Sequence, residues 1–290
     1  MYSKRSLLLA LFTTACGQGV DGLDDTSEAL TARQSIVGTC WTNPGCRRAL
    51  IVSHLGDWNA SVPYLSRNAF NRAVSCGAHA IEAPVRLSAD GVPILAHSSP
   101  IEVYESIDCA GQRIEARTAA QLARCHLGVF TGQRFQRLDD VLAWANGQIV
   151  LELDPKVPSE VAAIVSYVRA RGALDRVFFL IEQAELPGLP ANGHYMLRVR
   201  DPGQSLVRAP GVFMYQLDRS FAGLDRAGVA RLIQDNIHSA GLKALTPSDT
   251  SFPSVSDHVQ AFNMGFDVVL SYGCTNGMSA AAQVNAARGL

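Results

Sequence analysis

The sequence lacks any apolar run long enough to cross a bilayer as a helix: no window of about 18 apolar residues occurs in its 290 residues. It also lacks charge of one sign. The formal net charge is −1 at pH 7, with no basic cluster, which argues against nucleic acid as a partner. There is no CxxC pair and no Cys/His pair at zinc spacing, which excludes the common structural zinc sites. No internal repeat or low-complexity segment is present, so solenoids and propellers are excluded as well. What remains is a chain with 48% hydrophobic residues, enough for a full core and of a length that suits a single α/β barrel domain.

The first residues form a separate unit. "MYSKRSLLLALFTTACGQG" has a basic start at Lys4 and Arg5, an apolar run from Leu7, and small residues before Cys16. This is the layout of a secretory signal peptide over residues 1–15. The "TTAC" ending resembles a bacterial lipobox, in which the cysteine is lipidated, although Thr13 stands where such boxes prefer leucine. Residues 16–35 are small, polar and acidic and read as a tether, which leaves 36–290 as the folded domain. The reading is an exported, bacterial cell-envelope protein, anchored to the membrane through Cys16. Six further cysteines, Cys40, Cys46, Cys76, Cys109, Cys125 and Cys274, allow up to three disulfides in such a compartment. Cys40/Cys46 and Cys109/Cys125 are the local candidates.

Along that domain, short apolar runs alternate with amphipathic stretches. The runs are "ALIVS" at 49–53, "AHAI" at 78–81, "VPILA" at 92–96, "QIVL" at 148–151, "RVFFLI" at 176–181, "YMLRV" at 195–199, "GVFMY" at 211–215, "LKAL" at 242–245 and "DVVLS" at 267–271. Helical patterns lie at 63–75, 138–146, 158–171, 225–239 and 254–263. Runs apolar on both faces and separated by helices predict a parallel sheet. Their number predicts a closed (β/α)8 TIM-type barrel, with an inserted loop at about 100–136.

The first five runs end in His54, Glu82, His97, Glu152 and Glu182. In such a barrel the C-terminal strand ends share one face, which carries the active site, so two imidazoles and three carboxylates are expected at one mouth. Two histidines suit proton transfer in both directions. Carboxylates suit a hard divalent cation, Mg²⁺ or Ca²⁺. Together they are equipment for cleaving a phosphodiester. Of the other histidines, His126, His238 and His258 read as surface residues, and His79 and His194 as structural ones. Trp58, just after the first strand, reads either as a lining of the mouth or as plain packing.

Four segments carry a family resemblance: "IVSHLGDWN", "AFNRAVSCGAHAIEAPVRLSADGVPILAHSSP", "FQRLDDVLAWANGQIVLELDPK" and "GFDVVLS". In order and spacing they resemble the glycerophosphodiester phosphodiesterase family over roughly residues 49–275, the second segment most specifically. The resemblance implies a (β/α) barrel that hydrolyses glycerophosphodiesters with a divalent metal. Position by position it implies His54 and His97 as the catalytic histidines, Glu82 and Glu152 as metal carboxylates, and Gly56 as the motif glycine. Trp58 and Asp154 join Gly56 as the expected substrate-binding set.

The departures bear on the same site. Leu55 stands where the family has an arginine that contacts phosphate, and "YLS" at 64–66 where it has "ENT". Pro84 replaces a metal-binding aspartate, Ser98 an aspartate after the second histidine, and Asp154 a lysine near the phosphate. Glu182, Asp57 and Arg86 are the residues available to compensate. The expected function is hydrolysis of glycerophosphodiesters or related phospholipid headgroup esters by two-histidine catalysis with a weakly held metal. The alternative is a weak or inactive barrel that binds a lipid headgroup or a partner. A third reading keeps the chemistry and changes the headgroup, since sphingomyelinase D and phosphatidylinositol-specific phospholipases C are also two-histidine barrels.

Overall fold

The computed structural model describes residues 39–129, 132–201, 203–218, 225–247 and 252–290. The expected signal peptide, tether and Cys16 lie outside these residues. All nine apolar runs form strands: β1 (Leu50–Ser53), β2 (Ala80–Leu87), β3 (Pro93–Leu95), β4 (Val150–Pro155), β5 (Val177–Ile181), β6 (Tyr195–Val199), β7 (Val212–Leu217), β8 (Lys243–Leu245) and β9 (Val268–Ser271). Eight of them pair in parallel in the order β1-β9-β8-β7-β6-β5-β4-β2, and a β1–β2 pairing closes the ring. This is the expected (β/α)8 barrel.

The ninth differs in direction. β3 is antiparallel to β2, with Val85 opposite Leu95 and Leu87 opposite Pro93, so it is a hairpin arm outside the ring. Its turn runs through Asp90 and Gly91, with Gly91 at φ +71°, where a glycine carries no Cβ penalty. His97 therefore comes to the mouth because β3 doubles back along β2, and not from the end of a third barrel strand.

Two apolar layers follow from strand periodicity. Successive side chains alternate between faces, so Leu50, Val52, Ala80, Val150, Phe178, Leu180, Met196 and Met214 cluster inside the barrel with Trp41, which sits 5.3 Å from Phe178. Ile51, Ile81, Leu151, Leu153 and Phe179 form the outer set, packed under the helices.

Those helices include α1 (Arg67–Cys76), α2 (Ala119–Leu122), α3 (Leu138–Ala145), α4 (Val161–Arg169), α5 (Arg226–Leu232), α6 (Val255–Asn263) and α7 (Cys274–Ala287). α1 shows how local sequence sets the ends. The Ser66 hydroxyl accepts from the Ala69 N–H at its start, and Gly77, at φ +98°, caps its end. α7 has no counterpart among the expected helical stretches.

The inserted loop has its own small core, in which Ile101, Ile114, Leu122 and Leu127 pack with the Cys109–Cys125 disulfide. Cys40–Cys46 forms as well, and the third bridge, Cys76–Cys274, joins the end of α1 to the start of α7.

Candidate active site

Continuing the inward alternation past the apolar layer gives the site. After Val52 comes His54; after Ala80 comes Glu82; after Val150 come Glu152, Asp154 and Lys156. The barrel's upper interior is thus polar by the same period of two that makes its lower interior apolar. A cavity of about 630 Å³ opens there, lined by His54, Glu82, His97 and Lys156, with Trp58, Tyr64, Tyr104 and Tyr272 among its walls.

His54 is buried. Its backbone N–H donates to the Ser271 carbonyl at 2.9 Å, its own carbonyl accepts from the Trp58 indole at 3.1 Å, and its ring lies 4.0 Å from that of Tyr272. The Nε2 atom is 3.3 Å from Glu82 Oε2, and Nδ1 is buried with no hydrogen-bond partner among the described residues. Burial, then the charges of His97 and Lys156, lower its pKa to about 3, so the ring is a neutral base at ordinary pH. The strained backbone follows at once. Leu55 has φ +58° and Gly56 φ +87°, the left-handed region that side chains avoid. A Cβ on Gly56 would lie 2.9 Å from that of Ala69, so only glycine fits between the first strand end and α1.

His97 is held by residues the sequence reading did not single out or weighted elsewhere. The buried Glu105 carboxylate accepts the backbone N–H of His97 at 2.7 Å and of Ser98 at 3.1 Å. The Arg86 guanidinium donates to the His97 carbonyl at 3.0 and 3.2 Å, which makes Arg86 a brace for the loop. The Nδ1 atom of His97 meets the Ser98 hydroxyl at 3.2 Å.

Glu82, on the cavity wall, and Glu152 are register partners on β2 and β4. Both Glu152 oxygens are buried with no hydrogen-bond partner among the described residues, and its carboxyl is pushed well above the usual carboxylate range by burial and by the neighbouring charges of Glu82 and Asp154. Asp154 is buried and forms ion pairs with Lys156 and, at 3.6 Å, Arg198. Glu182 is paired with Arg198 and Arg200 at 3.3 and 2.5 Å. Asp57 is paired with Arg72 at 2.9 Å. Of the expected substrate-binding residues, Trp58 lines the cavity, Gly56 packs behind it against α1, and Asp154 lies below it as the partner of Lys156.

Lys156, like Glu105, is a residue the sequence reading missed. A family lysine is replaced at Asp154, and a cation reappears two residues later on the same strand face. Counting inward positions from Glu152 finds it. His258 needs a correction: it is fully buried, hydrogen-bonded through Nε2 to the Ser271 hydroxyl at 2.8 Å. His238 is half-buried, 2.9 Å from Asp267. His126 is half-buried, 2.8 Å from Asp108.

The Glycerophosphoryl diester phosphodiesterase family matches residues 59–179, a stretch that holds Glu82, His97 and Glu152 and stops short of His54. The barrel superposes on a glycerophosphodiester phosphodiesterase from Agrobacterium tumefaciens str. C58 with a TM-score of 0.62, at 21% identity over 80% of this chain and 99% of that one. A glycerophosphoryl diester phosphodiesterase from Parabacteroides distasonis ATCC 8503 gives 0.67, at 19% identity over 88% and 91%. An Oleispira antarctica phosphodiesterase in complex with the product sn-glycerol-3-phosphate gives 0.64, at 18% identity over 81% and 97%. No curated protein sequence matches.

The family generally uses a divalent metal, and of the three carboxylates that the resemblance gives the family only the two expected here, Glu82 and Glu152, are present. Pro84 offers no ligand atom, Glu82 faces His54, and Asp154 is engaged by Lys156 and Arg198. Among the described residues, no group of three or more His, Cys, Asp or Glu side chains is placed to hold a metal ion. Residues 59–179, from before α1 into β5, are thus similar to the glycerophosphoryl diester phosphodiesterase family, a family of phosphoric diester hydrolases, and the closed barrel shares the fold of solved members.

Proposed function

We propose that the protein is an exported phosphodiesterase that hydrolyses glycerophosphodiesters or related phospholipid headgroup esters by two-histidine acid–base catalysis. The observation that carries the reading is the convergence of His54, His97 and Lys156 on one cavity of about 630 Å³, a size suited to a small headgroup ester. His54, kept neutral by burial, takes a proton from the attacking water as its oxygen bonds to phosphorus. His97, at the open side and held by Glu105 and Arg86, protonates the departing alkoxide as the other P–O bond breaks. The Glu82 carboxylate beside His54 stabilises the imidazolium that forms. Trp58, Tyr64 and Tyr104 give the organic part of the substrate an aromatic wall.

The expectation of Mg²⁺ or Ca²⁺ on Glu82 and Glu152 is not used in these steps, because the carboxylates needed to complete such a site are absent or paired. Export and anchoring through Cys16 are part of the proposal. Their support is the leader-like N-terminus and the disulfides, which persist in oxidising compartments.

The test is turnover of glycerophosphocholine, glycerophosphoethanolamine, lysophospholipids and bis-p-nitrophenyl phosphate by the purified protein. Hydrolysis of one or more, lost in His97→Ala, supports the reading. No turnover of any of them overturns it in favour of a headgroup- or partner-binding barrel.

A further inference from the structure

The mouth that lacks a full set of metal carboxylates has a fixed ammonium facing the same cavity. Lys156 follows β4 directly, its side chain is 21% exposed, and it lines the cavity together with both histidines and Glu82. Its Nζ donates to Asp154 Oδ2, and the other Asp154 oxygen, Oδ1, lies 3.6 Å from the Arg198 guanidinium. A lysine head is a compact point charge with three donors. One donor is committed to Asp154, which fixes the ammonium's position at the cavity wall. An ammonium already held in place, in a cavity walled by aromatic rings, supplies the preorganised positive charge that a phosphoryl group requires.

We propose that the Lys156 ammonium, positioned by Asp154, binds the phosphoryl group in place of a divalent metal. This rests on the phosphodiesterase reading for its choice of ligand. It accounts for two departures at once: the aspartate lost at Pro84 removes a metal ligand, and the acid gained at Asp154 becomes the anchor of a replacement cation two residues along the strand. The chemistry of hydrolysis is unchanged, with one proton taken up at His54 and one released from His97.

The experiment is calorimetry of sn-glycerol-3-phosphate binding to the full protein treated with EDTA, then with Mg²⁺, Ca²⁺ or Mn²⁺ added back, for wild type, Lys156→Met and Lys156→Arg. Wild type should bind in EDTA, and added metal should change the affinity by less than about threefold. Lys156→Met should weaken binding by about tenfold or more, the size of losing a charge-assisted hydrogen bond. Lys156→Arg should keep most of the affinity, which guards against a folding defect in the methionine variant. Binding that needs a divalent cation, or that is equal in wild type and a folded Lys156→Met, overturns the inference. The two readings separate cleanly. Turnover that occurs only with added metal sinks the lysine inference and leaves the phosphodiesterase standing. Lys156-dependent, metal-independent binding without any turnover upholds the lysine and sinks the phosphodiesterase.

Discussion

Glu82 and Glu152 stand directly opposite each other on β2 and β4, two buried carboxyl groups on one inward register. Two carboxylates so placed oppose each other's ionisation. Glu82 has the His54 imidazole beside it, whereas neither oxygen of Glu152 has a hydrogen-bond partner among the described residues. With its pKa raised by burial and by Glu82, Glu152 keeps its proton in the native state when the unfolded chain has already lost it. Its contribution to stability is therefore present at low pH and is lost as pH rises through the raised folded value. Glu152→Gln, which mimics the neutral acid, should melt higher than wild type near and above neutral pH and converge with it in acid. The scale is about 2–4 °C for each kcal/mol relieved. Melting curves that coincide at every pH would show that no charge is being forced into that position.

His54 predicts the opposite slope. Its pKa is lowered from 6.5 to about 3 by burial, then by the charges of His97 and Lys156. Between those values the unfolded chain binds a proton that the native protein refuses, so the native state loses stability as pH falls through the window. His54→Gln should lose less stability over the same interval. Denaturant titrations of both proteins from neutral pH into mild acid, read as a difference, measure it. Parallel curves would place the His54 ring in a wetter site than the structure gives it.

For catalysis, His54→Ala and His97→Ala should each lower kcat by about 10²–10⁴, the usual worth of a positioned acid or base. Because both act in one reaction, the double variant should fall far short of the product of the two losses. Near wild-type turnover in either single variant would remove that histidine from the mechanism.

Gly56→Ala should cost about 2–4 kcal/mol, since it combines left-handed backbone strain with overpacking. The added methyl would meet Ala69 and Phe70 of α1 at 2.9–3.0 Å. Urea denaturation is the direct measurement, and a change below about 0.5 kcal/mol, the range of neutral surface substitutions, would mean that α1 yields easily.

Labelled palmitate should enter the wild-type protein in cells and be absent from Cys16→Ala. Incorporation that survives the substitution contradicts anchoring through Cys16.

The barrel was legible because each strand is an apolar run of a few residues between turn signals, and strand periodicity makes such runs visible without knowledge of their partners. Direction was not visible. "VPILA" reads the same as a parallel or an antiparallel strand, and only Asp90-Gly91 between it and β2 marks a hairpin. α7 escaped because "CTNGMSAAAQVNAA" is built of small residues, so its buried face contrasts too little with its exposed one to give a helical stripe. Lys156 escaped because the inward alternation was stopped at the last apolar residue rather than carried on through Glu152 and Asp154. His258 looked like a surface residue because its partner, Ser271, lies on a strand 13 residues away, a contact that only tertiary structure makes.

Cys76 and Cys274, 198 residues apart, are bonded to each other at the seam where the first and last βα units meet. Nearly the whole barrel is therefore a covalent ring. A protease that cuts once in any exposed loop between them opens the ring without releasing a fragment, because both pieces stay joined through sulfur. Against a protease, this turns a first cleavage into a nick. Such a nicked chain runs at full mass on a non-reducing gel and falls into two pieces only when thiol is added.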